Sequence, residues 1–313
     1  MLDALGITLV LDEAAVARSQ QGPELPKYLI LMTAVAKWPP CFALFSSSRR
    51  ENVMSSDDRS NRARASNLLK KRIEINHAYS STDFDAWLLE RLAVESGEHV
   101  LDVGCGTGAQ SIPIAGLVGP SGSVSSLDIS AASIATLQSK IPAGSHVQAV
   151  ASDMADLARV IADTFTTRQY SLAHSSYALY YCDQHLHVLD VMRGALKAGG
   201  RCAIFTTNRP HGLVDLAARF SEIPPEVEGP LRFGPTVLKP YFEKNFVHYD
   251  VHYFHNVVTV PSTDILIEFY RQTTYYDAST EEKIRAVVDD EVQRSGNYQY
   301  EKNGYLIIGF VEA

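Results

Sequence analysis

The sequence predicts an α/β protein built on a parallel, doubly wound sheet, and three observations carry that expectation. Apolar, strand-like runs alternate with helix-compatible stretches between residues 99 and 206, the pattern of parallel strands with helices on both faces. Three glycines at alternate positions follow the first run, at Gly104, Gly106 and Gly108. Acids recur where successive runs end, at Asp102, Asp128 and Asp153.

The totals agree with this class. A chain of 313 residues holds one large α/β domain with additions, or at most two modest domains. Hydrophobic residues make up 46% and charged residues 20%, enough to bury a full core. The net charge of −8 opposes a broad polyanion-binding surface, so nucleic acid is not an expected partner. The four cysteines, Cys41, Cys105, Cys182 and Cys202, are scattered and form no metal-ligand spacing. Such sparse use suits a reducing compartment. No apolar run approaches the ~20 residues needed to cross a bilayer, and the first residues lack the basic start of a secretory signal. The expectation is a cytoplasmic protein with no membrane partner; association of copies is left open.

Taken in order, residues 1–53 read as an N-terminal extension of weak patterning, and 54–96 as a helical cap. Within the cap, the Arg- and Lys-rich stretch 59–72 reads as a solvated helix face. Phe84, Trp87, Leu88, Leu89 and Leu92 then recur at helical spacing, with Thr82 or Asp83 as N-cap and Gly97 as the stop. The core, 97–207, carries strands at 99–103, 124–128, 147–151, 170–175 and 201–206. Helices are expected between them at 109–118, 131–140, 154–163 and 184–196. Residues 208–245 hold six prolines around one short helix, 213–220, and read as an insertion over the carboxyl edge of the sheet. Residues 246–313 complete the sheet: extended structure at 247–260, helices at 264–270 and 280–294, and a closing strand at 305–311.

The run Val100-Leu101-Asp102-Val103-Gly104-Cys105-Gly106-Thr107-Gly108 concentrates the chemistry. Glycine is needed where a ligand must approach the main chain and the strand must turn tightly into a helix. A ligand resting there meets free amide groups at a helix N-terminus. The Gly-x-Gly-x-Gly spacing differs from the Gly-x-Gly-x-x-Gly of dinucleotide binders, which opposes an NAD-dependent oxidoreductase. Asp128 ends the second strand 26 positions after Asp102, and Asp153 follows the third strand 25 positions later. An acid at the second position can accept both ribose hydroxyls. Three acids at one βα period converge on the sheet edge where open α/β sheets bind ligands.

With these residues in place, 97–207 resembles the class I S-adenosylmethionine-dependent methyltransferases, of the type acting on small molecules. The "VLDVGCGTG" run resembles their first motif, Asp128 their ribose-binding acid and Ser152-Asp153-Met154 their adenine-flanking segment. "LKAGGRCAIF" resembles the turn into their fifth strand, with Ala198 where proline is usual. The resemblance implies a Rossmann-like, seven-stranded sheet whose last strand runs antiparallel, and S-adenosylmethionine as cofactor. It implies that Asp102 and Gly104 lie near the methionine moiety, with Cys105, Gly106 and Gly108 completing the cradle. Asp128 would hold the ribose, Ile129 would lie against the adenine, and Asp153 and Met154 would flank it. Tyr79 resembles an N-terminal tyrosine that closes over the cofactor in many relatives.

Methyl transfer needs chiefly an acceptor lone pair held in line with the methyl in a dry pocket, so the acceptor side is less legible. The fourth strand ends His174-Ser175-Ser176-Tyr177-Ala178-Leu179-Tyr180-Tyr181. That departs from the Asn/Asp-Pro-Pro-Tyr of many enzymes acting on nucleic-acid bases or protein amides. It also lacks the strand-end acid of magnesium-dependent relatives, so no metal is expected. His174 is the first general-base candidate, with lining of the cofactor pocket as its other reading; His211 is the second. Tyr177, Tyr180 and Tyr181 are candidate substrate contacts. The expected function is methyl transfer to O, N or C of a small metabolite. The rival readings are a methyltransferase of RNA or protein and a nucleotide-binding module without turnover.

Overall fold

The computed structural model describes residues 74–142, 144–167 and 169–313. The extension 1–53 and the basic stretch 59–72 lie outside the described residues.

Residues 74–79 are helical and lead to α1, Phe84–Leu92. Asp83 caps it by accepting from the Ala86 amide at 3.1 Å, and Leu88 and Leu92 form its buried stripe. The helix ends at Ala93, which takes a left-handed φ of 47°, four residues before the expected stop. Gly97 instead turns the chain towards the first strand at φ 83°.

Alternation then proceeds as β1 His99–Val103, α2 Ser111–Val118, β2 Ser123–Asp128, α3 Ala131–Lys140 and β3 Val147–Ala151. It continues with α4 Leu157–Asp163, β4 Tyr170–Ser176, α5 His185–Gly194 and β5 Leu196–His211. These five strands are mutually parallel. The final strand, β8 Tyr298–Phe310, runs antiparallel between β5 and β6 His248–Phe254. The resulting order is β3-β2-β1-β4-β5-β8-β6, and strand order reverses between β1 and β4, the place where such sheets bind ligands. An eighth strand, β7 Val257–Val260, pairs with the first part of β8, so the extended stretch expected at 247–260 is two strands.

Side-chain alternation sorts the strands onto two cores. Val100, Val124, Leu172 and Ala203 face α1 and α2, meeting Leu88, Leu92 and Ile114. Leu101, Val103, Leu127, Ala173 and Ile204 face the other way, towards α4 and α5. Burial on both faces explains why these strands read as apolar runs.

The proline-rich insertion is mostly helical: α6 Gly212–Ala217, α7 Pro225–Phe233, a π-helical turn Gly234–Leu238 and α8 Lys239–Asn245. Pro225 stands in the first turn of α7, where a missing N–H breaks no bond, whereas Pro230 lies inside α7 and Pro235 and Pro240 lie where α7, the π-helical turn and α8 follow one another without a break. The helix expected at 213–220 starts one residue earlier, ends three residues earlier and is followed by a helical layer. Phe233, Leu238, Tyr241 and Phe242 of that layer join the same core as Leu101 and Ile204, so it covers a sheet face as well as reaching the carboxyl edge. Leu213 and Leu216 of α6 form a third core with β7, α9 Thr263–Arg271 and α10 Glu281–Ser295.

Candidate functional site

β1 carries the chain into the glycine turn, where Gly104, Gly106 and Gly108 take φ values of 80°, 53° and 85°. Glycine alone adopts these without a steric penalty. A Cβ on Gly104 would fall 2.2 Å from that of Ala178, in the turn after β4, and one on Gly108 would fall 2.3 Å from Leu137 of α3. A Cβ on Gly106 would meet nothing within 4 Å. Open space thus stands in front of the middle glycine. Cys105 between them is buried, and burial pushes its thiol up.

Asp128, at the end of β2, joins this turn directly. Its Oδ2 accepts the Gly106 amide at 2.8 Å and its Oδ1 the Ser130 amide at 2.8 Å. Each carboxylate oxygen retains a further lone pair. The adjacent Ile129 is 52% exposed, an apolar side chain left in water beside the acid. Asp153 is exposed and caps the short 3₁₀ turn Met154–Asp156 by accepting from the Ala155 amide at 2.9 Å. The Ser152 amide donates to the Asp128 carbonyl at 3.0 Å, tying the two acidic corners together. The Met154 methyl lies 3.8 Å from where a Gly104 Cβ would stand.

Asp102 is placed differently. It is 1% exposed; Ser111 donates to its Oδ2 at 2.5 Å, and Ser126 donates to Ser111 at 3.0 Å. Strand register sets Ser126, Asp102 and His174 side by side across β2, β1 and β4. The His174 Nε2 lies 3.4 Å from Asp102 Oδ1 without hydrogen-bond geometry. Burial pushes the Asp102 carboxyl up, against the opposing pull of His174 and Ser111. The backbone of Asp102 enters the turn, while its carboxyl faces a buried polar row under α2.

The three tyrosines divide between the faces. Tyr177 holds a left-handed φ of 55°, its amide donates to the Phe205 carbonyl at 3.1 Å, and its ring packs on Phe84 and Phe205. Tyr180 and Tyr181 stand on a 3₁₀ turn with rings 4.6 Å apart, and Tyr180 meets Phe233 of α7 edge-on at 6.1 Å. Tyr79 is half-buried against the third core.

His211 ends β5 eight residues beyond Ala203, the strand neighbour of His174, which separates the two histidines by roughly 26 Å of strand. Its Nδ1 is buried without a hydrogen-bond partner among the described residues. Burial, with Lys302 and Arg209 nearby, pushes the imidazole down to about 3. The ring is neutral at physiological pH and a weak proton acceptor.

Two side chains passed over in the sequence reading meet beside the turn. Gln110, just before α2, donates from Nε2 to Asp85 Oδ1 at 2.7 Å, and His77 Nε2 lies 3.9 Å from Asp85 Oδ2. Twenty-five positions separate Asp85 from Gln110, and neither falls in a recognisable motif, so only the fold could pair them.

Residues 100–200 match the model of a family described as the methyltransferase domain. The chain is 26% identical over 147 residues to demethylmenaquinone methyltransferase of Staphylococcus aureus, an alignment covering 46% of this chain and 58% of that enzyme. It thus spans little more than half the length of the curated relatives it matches. Among solved structures, a Bacillus halodurans protein provisionally designated a methyltransferase superposes with TM-score 0.52 at 15% identity, over 74% of this chain and 99% of the other. Phosphoethanolamine N-methyltransferase 2 of Haemonchus contortus, solved with S-adenosylhomocysteine, superposes with TM-score 0.51 at 14% identity, over 83% and 61%.

Proposed function

From the match of residues 100–200 to the methyltransferase-domain family, we propose that this chain is a class I, S-adenosylmethionine-dependent methyltransferase that transfers a methyl group to an O, N or C atom of a small metabolite. The observation that carries the reading is the joint between Asp128, Gly106 and Ile129. A carboxylate with free lone pairs, a bare stretch of main chain and an exposed apolar side chain adjoin one another. That donor set fits a nucleoside: the diol of the ribose for the acid, close approach for the glycine, and an apolar surface for the base.

In this reading Asp128 holds the ribose, Ile129 and Met154 flank the adenine, and Asp153 stands near its amino group. Gly104, Cys105, Gly106 and Gly108 form the cradle, and Tyr79 closes from the N-terminal side. When bound, the cofactor supplies a methyl group already activated as a sulfonium. The protein's own part is to exclude water and hold an acceptor lone pair in line. Tyr180 and Tyr181 would wall the acceptor, while Tyr177 packs on Phe84 and Phe205 behind the turn. A His211 imidazole that protonates only at about 3 acts as a hydrogen-bond partner more readily than as a base. His174, buried against Asp102, would orient the row beneath the glycine turn. The acidic balance and the alignment to a quinone-type methyltransferase support a small acceptor over RNA or protein.

Thermal unfolding tests the cofactor assignment. S-adenosylmethionine at 100 times its Kd should add about 2.7 kcal/mol of stability, and NAD at the same concentration none. Asp128→Ala should weaken cofactor binding about 100-fold by calorimetry, through loss of two charge-assisted hydrogen bonds. Stabilisation by NAD alone would overturn the reading. Turnover is then sought with methyl-labelled cofactor and a metabolite mixture.

A further inference from the structure

The methionine end of S-adenosylmethionine is a zwitterion, and its ammonium group calls for an anion. The acid nearest the glycine turn in sequence, Asp102, is 1% exposed and faces Ser111 and His174. A second carboxylate is joined to the segment just after the turn through Gln110. Asp85, in the first turn of α1, keeps 30% of its side chain exposed. Gln110 fixes its Oδ1 at 2.7 Å, and His77 lies 3.9 Å from its Oδ2.

Sheet order supplies the direction. In the reading proposed above, the nucleoside lies over the ends of β2 and β3, where Asp128, Ile129 and Asp153 stand. The amino-acid part must then extend the other way along β3-β2-β1-β4, over β1 and towards β4. Asp85 is held on that side, joined to Gln110 in the segment that follows the glycine turn. Its chain neighbour Phe84 packs on Tyr177, ring centroids 5.2 Å apart, in the turn that follows β4, whose next residue, Ala178, closes on Gly104. We infer that Asp85 receives the α-ammonium group of the cofactor's methionine moiety, with Gln110 as the positioning residue that orients the carboxylate. The inference rests on the cofactor reading above.

Two ligands separate its test from that reading. S-adenosylhomocysteine carries the amino-acid part, whereas 5′-methylthioadenosine has the same nucleoside and sulfur without it. By calorimetry, Asp85→Asn should weaken S-adenosylhomocysteine about tenfold or more, as expected for one charge-assisted contact, and leave 5′-methylthioadenosine unchanged. Gln110→Ala should show the same selectivity to a smaller degree, and Asp85→Glu should recover most of the loss. Asp128→Ala should weaken both ligands. Wild-type affinity for S-adenosylhomocysteine in a folded Asp85→Asn protein overturns the inference, as does equal loss of both ligands. If Asp85→Asn does not fold, unchanged discrimination in Gln110→Ala overturns it. If the unaltered protein binds neither ligand, the cofactor reading fails and this inference with it.

Discussion

Gly104, Gly106 and Gly108 share a left-handed backbone, yet an added methyl group meets something different at each. At Gly108 it strikes Leu137, so Gly108→Ala combines backbone strain with overpacking and should cost about 3 kcal/mol in denaturant unfolding. At Gly106 it meets open space, so Gly106→Ala should cost only about 1 kcal/mol of stability. The same change should nonetheless remove most cofactor affinity, because the methyl would stand where the ligand approaches. A Gly106→Ala protein as unstable as Gly108→Ala would mean that the space in front of Gly106 is not open. The sequence marks three glycines as one motif. Which of them faces a ligand, and which packs on α3, depends on a leucine 29 positions away.

The end of α1 is held by a side chain from β5. Arg201 donates to the Leu92 and Ala93 carbonyls at 2.8 to 3.0 Å and pairs with Glu98 at 2.7 and 2.8 Å, both partners being nearly buried. Burial acts to raise the Glu98 carboxyl, but hydrogen bonds from Arg201 and the Glu95 amide outweigh it and hold the pKa below its ordinary value. A depressed carboxylate contributes stability that is present above its unfolded pKa of about 4.3 and lost as pH falls through the folded value. Arg201→Ala should therefore destabilise by about 3 kcal/mol at neutral pH, leaving a buried charge and two bare carbonyls. The deficit relative to the unaltered protein should shrink below pH 4; a constant deficit would show that Glu98 is not involved. This clasp also explains why α1 stops at Ala93 instead of running to Gly97. The helical stripe was plain from Phe84 to Leu92, and its stop was not, because the capping group arrives from 108 residues away.

Beyond the sheet, residues 74–82 and the C-terminal third fold together. The Ser81 amide donates to the Val257 carbonyl at 2.8 Å, and Ser80 bridges Val258. Asn256, 4% exposed, accepts the Thr82 amide at 3.3 Å and donates to Ser80 Oγ at 3.1 Å. Ile75 and Tyr79 pack with Val258, Leu266 and Tyr300 in the third core. Asn256→Ala should cost about 1–3 kcal/mol, as expected for a hub whose partners are left bare. Proteolysis should show residues 74–82 cut about fivefold faster or more at low protease, the arithmetic of an opening easier by about 1 kcal/mol or more. Cutting at an unchanged rate would mean the apolar contacts alone hold the segment.

Periodicity and turn chemistry are local, and they carried the parallel sheet, the glycine turn and the acids at each strand end from the residues alone. The alternation of apolar runs and the spacing of Asp102, Asp128 and Asp153 are properties of a short window of chain, which is why they could be read. What the tertiary structure decided are the relations between distant windows: Asp102 turned inward to Ser111 and His174, Tyr177 parted from Tyr180, and Asp85 set beside Gln110. The same holds for the prolines, which break the pattern in sequence, yet Pro225 starts a helix and Pro230, Pro235 and Pro240 are carried within a helical layer packed on a sheet face. Side-chain direction at the end of a strand depends on what packs above it, and that partner is chosen by the fold.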